Sequence, residues 1–218
     1  PQAYSQATDQ DQLISTAKYA SGEVVPYILT TANPQKVRFA VVLMPGGAGV
    51  VNPVMQDGKL VFQLAQNFLI RSRALFADSQ TVVASTDASV SPERLLAIVT
   101  DLEARFPSVS TYLVGTSNGT FATMRLGERM DGRIAGFIHT SSLNSIAGYD
   151  TRAFKSRHLL VHHRQDGCHL TTFSSAKRSS ERFATRFIEI DGGITQGDPC
   201  AGFGHHGFNG VERETVMR

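Results

Sequence analysis

No apolar run in the 218 residues approaches the length of a bilayer-crossing helix, so no membrane span is expected. No secretory leader is visible either. The chain opens Pro1-Gln2-Ala3 without a methionine, as a processed amino terminus does, and any export signal would already be gone. Charge of one sign is scarce: 21 Lys and Arg stand against 19 Asp and Glu, a formal net charge of +2. The densest basic stretch, Lys177 to Arg182, already contains Glu181 and has no interleaved aromatic ring. It reads as the solvated face of a helix and argues against a nucleic-acid partner. The glycine cluster Pro45-Gly46-Gly47-Ala48-Gly49 lacks both the GK[ST] ending of a P-loop and the G-x-G-x-x-G spacing of a dinucleotide site. Six of the seven histidines fall between His158 and His206, and with Asp166 they invite a metal-site reading, but no H-E-x-x-H or comparable ligand spacing occurs. Neither a metal nor an organic cofactor is expected.

What is present is enough apolar material for a substantial core, with 41% hydrophobic and 18% charged residues. Pro1 to Ser21 is polar and rich in Gln, Ser and Thr, which predicts a surface arm, with one α/β domain from residue 22 to 218. Gly22 to Thr31 and Val37 to Met44 read as strands around the turn Ala32-Asn33-Pro34-Gln35. Between Lys59 and Phe76, Leu60, Leu64, Phe68 and Leu75 recur at helical spacing and predict a helix, with Arg71 and Arg73 solvent-facing or ion-paired. Thr81 to Ala88 is a further strand. Ser91-Pro92-Glu93 opens a helix that runs to Arg105, before Pro107. Strands at Thr111 to Val114, Arg133 to Ser141, His158 to His163 and Thr185 to Ile190 alternate with helical stretches. That alternation predicts a mainly parallel, doubly wound sheet with helices on both faces. Sixteen residues, Ser142 to Arg157, are too few for a cap or lid between two of these strands, so the site should be open.

Chemistry enters at Gly115-Thr116-Ser117-Asn118-Gly119, a G-x-S-x-G between a strand and a helix. Such a turn forces the serine into a strained conformation and stands its oxygen at the carboxyl edge of the sheet. Gly47 and Asn118 are the candidate amide donors to an oxyanion, since glycine in the first loop permits close approach to substrate. A flexible strand-to-helix turn is the plainer reading of that loop. Downstream, Asp166 lies just past a strand end, where the acid of a Ser…Asp…His order belongs; Asp191 competes for the role, and Asp87 lies upstream of the serine. His206, in a long loop after the last strand, is the candidate base, with its neighbour His205 a supporting or surface group.

These residues resemble the α/β-hydrolases, and more narrowly small exported bacterial α/β-hydrolase-like proteins, mostly uncharacterised. The shared features are Pro45-Gly46-Gly47, the FL-x-RSR stretch Phe68 to Arg73, the elbow Gly115 to Gly119, the HH-x-x-D-x-C loop His162 to Cys168, and Cys200 with the HGF-x-G-x-E ending His206 to Glu212. The resemblance covers roughly residue 22 to the end. It implies Ser117 as nucleophile, Asp166 as acid and His206 as base, but no substrate, because the fold hosts many reactions. From the residues themselves, such a triad is expected to cleave a carboxylic ester or related acyl bond through an acyl-enzyme, with a small acyl ester as the expected partner of an open site. The chain has only two cysteines, Cys168 beside the acid and Cys200 in the histidine loop, and bringing those loops together predicts a disulfide. Two inert thiols are the alternative. A disulfide favours a periplasmic or secreted setting. A non-catalytic binding module on the same scaffold remains the second functional reading, and the acyl group and oligomeric state stay open.

Overall fold

The computed structural model describes residues 10–218. In chain order its first half contains β1 (Gln10–Lys18), β2 (Val24–Ala32), β3 (Phe39–Met44), β4 (Val54–Gln56), β5 (Lys59–Val61), α1 (Phe68–Arg71), α2 (Arg73–Phe76), β6 (Thr81–Ser85) and α3 (Pro92–Arg105). Its second half contains β7 (Ser110–Thr116), α4 (Gly119–Arg129), β8 (Gly136–Thr140), β9 (Arg157–His163), α5 (Phe173–Phe183), β10 (Arg186–Ile190) and α6 (Glu212–Met217). Eight strands form one sheet in the order β1-β2-β6-β3-β7-β8-β9-β10. All pairs from β6 to β10 are parallel, whereas β2 joins β1 and β6 antiparallel.

The apolar β3 lies inside this sheet because both of its faces are covered. Val42 and Met44 join a cluster with Leu95, Ile98 and Leu102 of α3 and Leu126 of α4. Leu43, one position out of phase, packs with Phe68 and Leu69 of α1 and with Phe208 on the opposite face. Each such side chain, once fully buried, contributes about 1.5–3 kcal/mol. Helix α3 begins as its sequence indicates: Ser91 Oγ accepts the Arg94 amide at 3.1 Å and Pro92 occupies the first turn. A cap of this kind contributes about 1 kcal/mol.

Two expectations require correction. In place of a surface arm up to Ser21, residues Gln10–Lys18 pair along their whole length with β2; residues 1–9 of the expected arm lie outside the described residues. As an edge strand, β1 needs only one side paired, and it buries only small groups, Ser15 and Ala17, among its mainly polar neighbours. The helix expected from Lys59 to Phe76 is limited to two short turns, α1 and α2. Asp57 and Gly58 both adopt positive φ, 50° and 74°, and close a β4–β5 hairpin of the kind that Asp-Gly favours. Leu64, at φ 58°, then breaks any helical path, so the leucine spacing was coincidental.

Between β8 and β9 the chain makes only two 3₁₀ turns, Asn144–Gly148 and Thr151–Ala153, and no cap is inserted. Among the described residues no helix is long and apolar enough to cross a membrane.

Candidate active site

Strand β7 ends at Thr116, and the next residue, Ser117, takes φ 53° before α4 begins. A non-glycine residue in this region costs about 1–3 kcal/mol unless its surroundings hold it. Here they do: the Ser117 amide donates to the Thr140 carbonyl at 3.1 Å, and the Thr120 hydroxyl donates to the Ser117 carbonyl at 2.6 Å. The flanking glycines let the turn sink against the sheet. A Cβ at Gly115 would lie 2.5 Å from the Gly119 carbonyl oxygen, and one at Gly119 would strike the Met44 and Pro45 carbonyls.

The loop after β3 presses on this turn from the other side, so that a Cβ at Gly46 would lie 2.7 Å from the Ser117 Cβ. The Asn118 side-chain amide fastens the loop by donating to the Gly47 carbonyl at 3.0 Å. Among the described residues the backbone amides of Gly47 and Asn118 donate to no protein acceptor.

Asp166 follows the carboxyl end of β9, and its side chain is fully buried. Its Oδ2 lies 3.0 Å from His206 Nδ1, 3.1 Å from His162 Nε2 and 3.1 Å from the donating Thr171 hydroxyl, while Oδ1 accepts the Cys168 amide at 2.9 Å. Burial by itself would raise the Asp166 pKa. The hydrogen bonds from His162 and His206 more than reverse that and hold the carboxyl well below the usual carboxylate range. Asp191, the competing acid, instead accepts the neighbouring Gly192 amide at an exposed loop.

His206 is carried by a 3₁₀ turn, His205–Gly207, and is 5% exposed. Two contacts hold the turn: the Ser141 hydroxyl donates to the His206 carbonyl at 2.7 Å, and Arg71 Nη2 donates to the Gly207 carbonyl at 2.6 Å. Arg71 is also ion-paired with Glu212 at 2.9 Å, which explains the distant pairing of the FL-x-RSR and HGF-x-G-x-E stretches. His205 turns away and stacks on His163, with ring centres 4.4 Å apart. Cys168 and Cys200 form a disulfide joining the acid loop to the histidine loop.

Ser117 and His206 line one open cavity of about 540 Å³, together with Gly46, Gly47, Phe62 and Phe68. Among the described residues no hydrogen bond joins Ser117 to His206. No cluster of His, Cys, Asp and Glu suited to a metal ion occurs among the described residues. Three other histidines are engaged elsewhere: His163 Nε2 meets the Gly192 carbonyl at 2.8 Å, and the buried His139 pairs with His158 at 3.1 Å. Sequence reasoning missed His162 and Thr171, which meet the acid; the HH-x-x-D spacing held the signal for the first.

Solved structures share this arrangement of strands and helices. An alpha-beta serine hydrolase homologue from Coxiella burnetii superposes with a TM-score of 0.62 at 14% identity, covering 99% of each chain. The chain has the α/β-hydrolase fold. Among the described residues it carries no inserted lid; a Xanthomonas campestris α/β serine hydrolase without lid is similar at TM-score 0.61 and 11% identity over 95% of this chain and 94% of that one. An esterase domain from Rhodothermus marinus shares the hydrolase fold at TM-score 0.59 and 14% identity, over 94% and 99% of the two chains. No family model and no curated protein sequence matches this chain. Within the hydrolase fold, Ser117 occupies the strand-to-helix turn after β7, and Asp166 and His206 follow it in chain order.

Proposed function

We propose that the protein is a serine hydrolase that cleaves a carboxylic ester, or a related acyl bond, through Ser117, His206 and Asp166. The observation that carries this reading is the buried Asp166–His206 pair opening onto the same cavity as a serine on a strained turn. The single Thr171 hydroxyl hydrogen is directed to Asp166, so the proton between His206 Nδ1 and these two groups belongs to the imidazole. That tautomer leaves Nε2 as the basic atom.

His206 takes the Ser117 proton as Oγ attacks the carbonyl carbon, and Asp166 stabilises the resulting imidazolium. The unengaged Gly47 and Asn118 amides receive the oxyanion, each worth about 3–4 kcal/mol to the transition state. The imidazolium then protonates the departing alcohol, and water activated by His206 releases the acid. The disulfide supports a periplasmic or secreted setting, and the uncharged cavity lining near Ser117 supports a small-molecule ester as substrate.

A fluorophosphonate probe with mass-spectrometric location of the adduct tests the reading. Labelling at Ser117, abolished in Ser117→Ala and His206→Ala, is the expected result. A folded wild-type protein that stays unlabelled would overturn it and leave a non-catalytic binding module as the better description.

A further inference from the structure

His162 is fully buried, touches neither the cavity nor Ser117, and has no part in the chemistry described above. Its Nε2 lies between two acceptors, Asp166 Oδ2 at 3.1 Å and the Thr171 carbonyl at 2.9 Å. The Thr171 carbonyl oxygen can only accept. The hydrogen must therefore sit on Nε2. Its other ring nitrogen, Nδ1, is buried and has no hydrogen-bond partner among the described residues. Leaving a buried polar atom unsatisfied is costly, and an apolar residue here would avoid that cost. We infer that His162 is a positioning residue for the proposed reaction: a fixed N–H donor that holds the Asp166 carboxylate ionised and aimed at His206.

Two consequences of the geometry support this. Oδ2 receives three hydrogen bonds, from His206, His162 and Thr171, and Oδ1 receives one from the Cys168 amide. Four donors thus converge on one carboxylate, three of them crowded on Oδ2, so turning the Asp166 side chain would break several hydrogen bonds at once. His162 also joins the two ends of the acid loop, because the same N–H reaches Thr171, whose hydroxyl touches both Asp166 and His206. Around Asp166 the ionisable neighbours are His162 on β9, His206 on the final loop, and His163, whose ring is committed to the Gly192 carbonyl. From α5 it is Phe173 that faces His162, an uncharged ring edge.

Withdrawing this donor should make Asp166 more basic. The His206 imidazolium would then be held more tightly, and a fraction of Asp166 would protonate at low pH. Both effects move the acid limb of activity to higher pH.

The inference rests on the triad reading, and the experiment separates the two. Initial rates on a short acyl ester are followed from pH 4 to pH 9 for the wild type, His162→Phe and His162→Gln, with fluorophosphonate labelling and thermal melts alongside. Glutamine can present an N–H near the original Nε2, whereas phenylalanine fills the space without a donor. His162→Phe should lower kcat about 10- to 100-fold, as loss of a group that orients a directly acting residue commonly does, with little change in KM. Its acid limb should move upward, and His162→Gln should restore most of both. If the acid limb stays in place in His162→Phe, or glutamine restores nothing while the melts show a folded protein, His162 only fills space and the inference fails. Should His162→Phe not fold, a wild-type limb in His162→Gln at near wild-type kcat supports the donor role, and a displaced limb there refutes it. Failure of the triad itself would show differently, as a wild type that neither labels nor turns over.

Discussion

Ser117 and His206 reach the same cavity from segments of unlike construction. Ser117 stands on a turn between β7, a strand inside the sheet, and α4, a helix packed against it, and its strained backbone is held by contacts from the turn itself and from the neighbouring strand β8. Asp166 and His206 come instead from two loops, 40 residues apart in sequence, with little regular structure of their own. Those loops are held by cross-links: the disulfide, the Ser141 bond to the His206 carbonyl, and Arg71 bridging Glu212 to Gly207. A strand-to-helix turn needs only small neighbours to keep its geometry. A pair of loops must offset more conformational entropy, and polar or covalent links do so where a core cannot.

The sharpest break of this contrast is Asp166→Asn. It keeps the shape of the acid loop but reverses the tautomer demanded of His206, and steady-state kinetics should show a loss of about 10³–10⁴-fold in kcat with little change in fold. Replacing both cysteines by serine attacks the loops from the covalent side. Urea titration should show a loss of about 3–4 kcal/mol, and activity should fall at lower urea than the helical circular dichroism signal, because the loops loosen before the sheet. If the two transitions coincide, the loops are not the separately held unit described here.

Gly119→Ala acts on the serine side alone. Its Cβ meets the Met44 and Pro45 carbonyls, so a loss of about 1–3 kcal/mol is expected in the same titration, with the elbow displaced and labelling of Ser117 slowed. The last test is in pH and bears on the whole fold. Asp166 is held below its ordinary value, so its contribution to stability is complete above about pH 4 and is lost as pH falls further. His139 and His158, pushed down by burial to about 3 and about 4, act in the same direction. Each takes up a proton on unfolding below about pH 6.5, so stability should decline as pH falls from there toward their folded values. Urea midpoints measured from pH 7 to pH 4 should drop, and His158→Gln should flatten part of the slope.

Much of the sheet is legible in the sequence where period and punctuation agree. Ser91-Pro92 marks the start of α3 to the residue, and the apolar Phe39–Met44 could hardly be anything but an interior strand. Reading failed where one signal acted alone. Leucines at helical spacing between Lys59 and Phe76 suggested a helix, whereas Asp57-Gly58, just outside that stretch, is the stronger local constraint and closes a hairpin. The polar Gln10–Lys18 concealed an edge strand, because an edge needs backbone partners more than apolar side chains.

The same division holds at the candidate site. Sequence alone was enough to single out the serine turn, since its geometry is local and G-x-S-x-G next to a strand encodes it within five residues. It also determined the chain order of Ser117, Asp166 and His206. Which carboxylate meets the histidine, where His205 turns, and that His162 and Thr171 gather on Asp166 were decided only by the tertiary structure. Those contacts join residues up to 42 positions apart (His163 and His205) across loops without a repeating pattern, and no local spacing specifies how such loops meet.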